Sequence, residues 1–375
     1  MKKPIATSGK NDDLITRMLA TGSGAIKNTF LMNDSPFYMK KETIKTDLPI
    51  LNIAFSGDPD GGLVSGLTMF CGMQATYKTL TALYCMKAYF NKFPDAIALF
   101  YDNEFSVTPE YLAMNEIDAS RIVHIPIEHI EQLKFDITKK LDDIKKGDHV
   151  FIMIDSLGLL GSKKEVEDAM NENSAADMSR AKAIRSLFRI ITPKIAMRDL
   201  PCIVINHYYK EMGLFPKNVV SGGEAATLAP NQIFLITKSQ DKDGDDLVGW
   251  NFNINVIKSR FIRQGSKLSF TVNYEDGIEK YSGILELAVE SGDVLKTGAK
   301  AGTRYTLIEP DTGEVIIENI KEVKTNTDEF LGVVLKRENF KNYVKSKFKL
   351  TRENKQDEDD EILDIEDEDL ELIQE

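Results

Sequence analysis

The stretch Gly66-Leu-Thr-Met-Phe-Cys-Gly72-Met-Gln-Ala-Thr-Tyr-Lys78-Thr79-Leu80 reads as a buried strand, a tight loop and the first turn of a helix. A near-continuous apolar run before the loop is what a strand covered on both faces requires. The loop Gly72, Met73, Gln74, Ala75, Thr76, Tyr77, Lys78, Thr79 follows the phosphate-cradle spacing G-x-x-x-x-G-K-[ST], except that Tyr77 stands at the second glycine. In that pattern backbone N–H groups wrap the phosphates, the lysine reaches the outer phosphate oxygens, and the hydroxyl holds Mg²⁺. Lys78 and Thr79 fit those two roles. The helix must turn its positive end to the phosphates, and Leu80, Leu83, Tyr84 and Ala88 recur at helical spacing after the loop. On the loop alone, a chance G-x5-K-T at a strand-to-helix turn competes with this reading.

Two strand tips downstream weigh against chance. Ala96-Ile-Ala-Leu-Phe-Tyr101 ends in Asp102-Asn103-Glu104, and His149-Val-Phe-Ile-Met-Ile ends in Asp155-Ser156. Carboxylates at the C-terminal edge of parallel strands face the crevice where α/β proteins bind ligands. Asp155 matches the Walker B carboxylate that orders Mg²⁺ and its waters. The spacing predicts helices over 131–146 and 178–195. A further strand, Cys202-Ile-Val-Ile-Asn206-His207, ends in polar groups like its predecessors.

Between these elements lie two polar stretches read as irregular. One, Ser162 to Ser174, holds Lys163 and Lys164; the other, Tyr208 to Pro230, holds Lys210, Phe215, Lys217, Gly222 and Gly223. Lysines and aromatics interleaved with glycines suit contact with single-stranded nucleic acid, and a plain surface loop reads the same way. The strands 232–237, 252–257 and 268–272 follow closely on one another, so the sheet is expected to end antiparallel. Lys258 and Arg260 stand at a strand end among them. After about residue 277 the elements shorten and lysines multiply, as in Phe340-Lys-Asn-Tyr-Val-Lys-Ser-Lys-Phe-Lys349, which reads as a nucleic-acid patch or a solvated helix face.

The formal charge of −12 is uneven: residues 357–375 carry twelve Asp/Glu and no Lys/Arg, which leaves the rest of the chain near neutral. Such a tail reads as an interaction or autoinhibitory segment, or as a solubilising one. The three cysteines sit in apolar runs without disulfide or zinc spacing, so a reducing compartment is expected. The first residues lack the apolar stretch of a signal peptide, and no run approaches a membrane span. An isolated amphipathic piece, Leu14, Ile15, Met18 and Leu19, could form a short helix that needs another surface to pack on.

The order of cradle, Tyr-Asp-Asn-Glu tip, Ile-Asp155-Ser156, Ile-Asn206-His207, glycine-bearing loop and Lys258-Ser-Arg260 resembles the RecA-type recombinases. The likeness is strongest to the UvsX branch of large virulent tailed phages, which has an aromatic residue before the cradle lysine. The stretches Ser162-Lys-Lys-Glu-Val-Glu-Asp-Ala-Met-Asn-Glu and Ser186-Leu-Phe-Arg-Ile-Ile-Thr-Pro carry it too, and it extends over about residues 45 to 295. The resemblance implies an α/β fold: a RecA-like P-loop ATPase core with a mixed, mainly parallel sheet over 46–276. A small C-terminal domain would span 277–355, after an N-terminal oligomerisation segment over 1–45, and an acidic disordered tail would fill 356–375.

It also implies that ATP and Mg²⁺ bind at residues 72–80 with Asp155, and that Glu104 activates the attacking water. Lys78 and His207 would join it in catalysis, His207 where the bacterial proteins carry a glutamine. Tyr111 would stack on adenine, while Lys258 and Arg260, an arginine replacing the second lysine, would reach a neighbouring subunit's ATP. The two polar stretches, about 161–174 and 209–228, would be the DNA loops. Implied partners are single-stranded and homologous duplex DNA, further copies in a helical filament, a recombination mediator and a single-strand-binding protein, in the (host) cytoplasm. A hexameric helicase or motor on the same core, and a non-hydrolysing ATP-gated DNA-coating scaffold, remain the alternatives.

Overall fold

The computed structural model describes residues 9–21, 29–37, 42–170, 179–210, 218–243, 246–273, 277–299 and 302–350. In chain order these form α1 (Gly9–Ala20), α2 (Pro49–Ser56), β1 (Gly66–Gly72), α3 (Lys78–Lys92), β2 (Ile97–Asp102), α4 (Pro109–Met114) and β3 (Ile122–Pro126). Next come α5 (Ile130–Asp143), β4 (Val150–Asp155), α6 (Lys163–Met170), α7 (Ser179–Arg198), β5 (Pro201–Asn206), β6 (Tyr208–Lys210), β7 (Asn218–Val220) and α8 (Glu224–Leu228). The chain continues through β8 (Gln232–Asp243), β9 (Asp246–Ser259), β10 (Lys267–Asn273), β11 (Gly277–Ile278), α9 (Ile284–Glu290), β12 (Val294–Thr297), β13 (Arg304–Ile308), β14 (Val315–Ile320), α10 (Leu331–Val334) and α11 (Glu338–Phe348).

The central sheet runs in the order β11-β10-β9-β8-β1-β5-β4-β2-β3. Strands β8, β1, β5, β4, β2 and β3 are mutually parallel, whereas β9, β10 and β11 add antiparallel, as the three closely spaced late strands require. Alternation along each parallel strand divides the core. Leu67, Met69, Val150, Ile152 and Ile154 point to one face, where Leu133, Ile137 and Leu141 of α5 and Ile184, Leu187 and Ile191 of α7 cover them. Phe70, Phe151 and Met153 point to the other, under α2 and α3. There Phe55, Phe70 and Phe234 pack with ring centroids 5.6–6.1 Å apart, a geometry worth ~0.5–1.5 kcal/mol per pair beyond burial.

The small antiparallel sheet β12-β13-β14 and helices α9, α10 and α11 follow the main sheet. Their Ile284, Leu287, Leu307, Phe330, Phe340 and Val344 belong to the same buried cluster as Phe252 and Phe270. Spacing explains α11: Phe340, Val344 and Phe348 share one buried face. Its lysines are neutralised locally, Lys341 on Asp60, Lys345 on Asp58 and Lys347 on Glu290. That pairing favours a solvated, ion-paired helix face over a nucleic-acid patch. In α1, by contrast, Leu14, Met18 and Leu19 are exposed. Among the described residues no helix is long and apolar enough to cross a membrane.

Two expectations are corrected. Residues 163–170 are helical, and the reason is a reciprocal cap: Glu165 N–H donates to Ser162 Oγ at 3.1 Å and Ser162 N–H to Glu165 Oε2 at 2.6 Å. The second polar stretch is likewise not structureless. Tyr208–Lys210 pairs with Asn218–Val220 as a two-stranded ribbon, followed by α8.

Candidate active site

Register brings the strand tips level. Asp102 lies opposite Asp155, Cys71 opposite Asn206, and Gly72 opposite Ile236, so the C-terminal edge of the sheet gathers the cradle and every polar tip.

The cradle is built by close approach. A Cβ on Gly72 would lie 2.3 Å from Thr76 Oγ1 and 2.9 Å from the Ile236 carbonyl oxygen, so only glycine fits. Ala75 and Tyr77 hold the left-handed turn at φ 55° and 57°. Tyr77 tolerates the place usually given to glycine because its ring packs edge-on against Phe252, 4.8 Å between centroids. Met73, Gln74 and Ala75 are exposed at the loop tip, while Thr76 and Leu80 are buried. Lys78 is buried too, and its ammonium donates to the Met73 carbonyl at 2.7 Å. Burial pushes its pKa down, with Glu104 and Asp155 opposing. This places a dehydrated cation inside the loop, held by a neutral acceptor that an anion can displace.

Thr79 donates its hydroxyl to Asp155 Oδ2 at 2.7 Å. Among the described residues Asp155 Oδ1 is buried with no hydrogen-bond partner, and burial first, then Glu104 and Asp102, raises the carboxyl to about 7, against the Thr79 hydrogen bond. An orphaned buried carboxylate oxygen is costly, and a hard cation with its water shell is the partner that removes the cost. The Thr79–Asp155 pair therefore fits Mg²⁺.

Glu104 is aimed by a buried buttress. Asp102 Oδ1 accepts the backbone N–H groups of Glu104 and Phe105, both at 2.9 Å, and its Oδ2 meets His124 Nε2 at 3.0 Å. Asn103 N–H donates to the Asp155 carbonyl and Asn103 Oδ1 accepts Ser156 N–H, tying the two tips together. The carboxylate itself meets His207 Nε2 at 3.3 Å, and that hydrogen bond is the chief reason its pKa is lowered. His207 Nε2 also lies 3.4 Å from Ser156 Oγ. Tyr111, on α4, is half-buried beside Tyr77 and Tyr84; burial first and those neighbours second raise its pKa.

The roots of both polar stretches touch this centre. A Cβ on Gly158 would meet His207 Cδ2 at 2.4 Å, so the turn at 157–160 lies against the imidazole. Arg180 clamps that turn, donating to the carbonyls of Leu157, Gly158 and Leu160 at 2.9–3.1 Å, and reaches Ser221 Oγ at 3.3 Å. Gly222 and Gly223 follow at φ 100° and 69°. Lys163 and Lys164 are exposed on α6, each near an acid one turn on. Lys210 ends β6; Phe215 and Lys217 lie outside the described residues. Sequence reading placed Asp102, Asn103 and Ser156 at the strand tips without giving them roles, and it missed Arg180, which carries no local signal.

Lys258 and Arg260 are not gathered here. Lys258 pairs with Ile233, which is level with Met69, three residues from the cradle end and toward the opposite edge; that is ~10 Å of strand. The Lys258 ammonium donates to the Thr227 and Leu228 carbonyls at 2.9 and 2.6 Å, and Arg260 is exposed.

Comparison with known proteins agrees. The family model for the RecA N-terminal domain matches residues 26–279. That for the C-terminal domain of the bacteriophage T4 recombination and repair protein matches 281–344. The recombination and repair protein of Enterobacteria phage T4 is 40% identical over 340 residues, 90% of this chain and 86% of that protein. RecA of Chlorobaculum tepidum is 27% identical over 283 residues, covering 74% and 78%; RecA of Rhodopseudomonas palustris is 26% identical over 265, covering 70% and 73%. With a cradle-like loop, two acidic tips and His207 on one sheet edge, and a C-terminal region shared with the phage protein, the chain belongs to the RecA-type recombinases, in their UvsX branch.

Proposed function

We propose that the protein is an ATP-dependent DNA strand-exchange recombinase, assembling as a helical filament on single-stranded DNA and pairing it with homologous duplex for recombination, repair and recombination-dependent replication. The observation that carries the reading is the division of labour across the sheet: cradle and Glu104 on one edge, Lys258 and Arg260 toward the other. Stacked head to tail, one subunit's cations complete the next subunit's phosphate site, which couples assembly to nucleotide. Closure into a ring would make the same core a helicase; the phage T4 relative favours the open stack.

In this mechanism the backbone N–H groups of residues 72–79 and the Lys78 ammonium bind the triphosphate, and Tyr111 stacks on the base. Mg²⁺, held at Thr79 and through water at Asp155, would neutralise charge on the outer phosphates. Glu104 orients the attacking water and takes its proton. His207, touching Glu104 and the 157–160 turn, reports the state of the site to the DNA loops. Those loops, about 161–174 and 209–228, would bring Lys163, Lys164, Lys210, Phe215, Lys217, Gly222 and Gly223 to the strand. Glu104 at its strand tip, half-buried beside His207, argues against a scaffold that never hydrolyses ATP.

Around this core, residues 1–45 serve self-association through α1, 46–276 form the ATPase, 277–355 a smaller unit and 356–375 an acidic tail. A recombination mediator and a single-strand-binding protein are its working partners, in the cytoplasm. The test is the ATPase rate with and without single-stranded DNA, paired with electron microscopy. Stimulated hydrolysis with helical filaments is expected; closed rings, or no stimulation, would refute the reading.

A further inference from the structure

Glu104 stands on the sheet edge between two imidazoles. His207, just past the end of β5, meets its carboxylate. The second, His124, belongs to β3, which closes the sheet on the other side in the order β5-β4-β2-β3. It reaches Glu104 through Asp102 and the backbone, so one histidine holds the head of the side chain and the other its root.

Asp102 is buried, 1% exposed, and a carboxylate removed from water needs donors for both oxygens. Its Oδ1 takes the N–H groups of Glu104 and Phe105 at 2.9 Å each, and its Oδ2 takes His124 Nε2 at 3.0 Å. Among the described residues no lysine or arginine pairs with it. An ionised carboxylate only accepts, so the imidazole is the donor that completes the set. The Asp102 carbonyl in turn accepts the Ile127 N–H at 3.0 Å, which fastens the same tip to the chain leaving β3.

The turn so held is one the chain would otherwise leave. Phe105 sits at φ 53°, the left-handed region that a phenylalanine occupies only when its surroundings keep it there. Its ring is 62% exposed and stands edge-on to His124, with centroids 6.2 Å apart. On the other side the imidazole meets Phe100 at 5.6 Å, its partner in the register of β2 with β3. His124 is thus placed by strand pairing and by two phenylalanines. A pair that served stability alone would need no particular backbone target, whereas the two N–H groups bound here belong to Glu104 itself and to the residue after it.

We infer that His124 is a positioning residue for hydrolysis, acting through Asp102 to fix the backbone of residues 103–105 and so the direction of the Glu104 carboxylate. This rests on the proposed role of Glu104 as the base. The His124–Asp102 pair touches neither the cradle loop nor Tyr111 through any described hydrogen bond, so it sets the rate of the bound state and leaves nucleotide affinity alone. A base displaced by ~1 Å loses up to ~100-fold in rate, which is the scale on which the pair acts.

The test compares His124→Phe with His124→Gln in the full-length protein. Phenylalanine keeps a ring between Phe100 and Phe105 but cannot donate; glutamine places a donor where Nε2 stood. In His124→Phe, single-turnover ATP hydrolysis on single-stranded DNA should slow by ~5–20-fold, with the affinity for a fluorescent ATP analogue unchanged. His124→Gln should recover most of the rate. Asp102→Asn, which retains an acceptor for both N–H groups, should likewise outperform Asp102→Leu, and it carries the test if His124→Phe does not fold. Hydrogen exchange of the peptide bearing the Glu104 and Phe105 amides, read without nucleotide or DNA, should quicken in His124→Phe and Asp102→Leu and stay slow in the two conservative variants. Parent-like turnover in His124→Phe, no recovery in His124→Gln, or a loss of ATP affinity that parallels the loss of rate overturns the inference. So do amides that exchange alike in all the variants. A parent protein with no ATPase would instead sink the proposed function, while the exchange result would still show whether the pair holds the turn.

Discussion

Glu104 is a carboxylate whose proton affinity is lowered first by His207, with Ser156 and Lys78 adding to the effect and burial opposing it. Its hydrogen bond from His207 lowers the pKa, so the ionised form persists below the ordinary carboxylate range and is lost only as pH falls through that depressed value. Removing the donor should raise the pKa, so His207→Ala is expected to move the acid limb of the ATPase pH profile upward. An unmoved limb would show that His207 does not govern Glu104. Glu104→Gln should leave ATP binding intact but slow turnover at least ~100-fold, the usual cost of losing a general base. Hydrolysis at the parent rate would make Glu104 structural. Gly158→Ala is the subtler probe: its Cβ would press on the imidazole at 2.4 Å, so turnover should fall without loss of nucleotide affinity. At this scale the sequence was legible where chemistry is local. Lys78 and Thr79 are adjacent and carry a spacing; Asn103 and Ser156, bonded across 53 residues, carry none.

Elements were legible wherever apolar runs were long. Strands β1, β2, β4, β5 and β8, and helices α5 and α7, follow from runs and stripes that only a two-sided sheet with covering helices satisfies, whereas the edge strand β3, largely exposed, left no apolar run to read. The ribbon β6–β7 was missed because each strand has three residues, too few for alternation to register. Helix α6 was missed although its Ser162-x-x-Glu165 box was in plain view, since Val166, Ala169 and Met170 are too few apolar positions in a charged stretch to set a period. Both elements spring from roots that Arg180 holds together with the 157–160 turn. Arg180→Lys keeps the charge but loses the fork that serves several acceptors at once. Basal ATPase is expected to survive in it, while stimulation by single-stranded DNA drops several-fold. Equal losses of basal and stimulated rates would reduce Arg180 to a fold-stabilising residue.

For the whole molecule, the register of β8 with β9 decides more than any single side chain. With Lys258 and Arg260 toward the edge away from their own cradle, Lys258→Ala, Arg260→Ala protein and Lys78→Ala protein should each be inactive alone and regain part of the activity when mixed. No recovery under conditions where both co-assemble would mean the cations act within their own subunit. Only the family resemblance pointed to this placement; periodicity and composition did not, because which edge a strand end occupies depends on partners far along the chain.

The same register makes the two ends of a stack chemically unlike. At one end sits a subunit whose cradle has no neighbour's cations; at the other, a subunit whose cations serve no cradle. An assembly of this kind has a direction even on a strand of uniform base composition. Its slow and fast termini would be told apart by where hydrolysis stalls, and a single subunit, owning two half-sites and no whole one, would be the least active form of the protein.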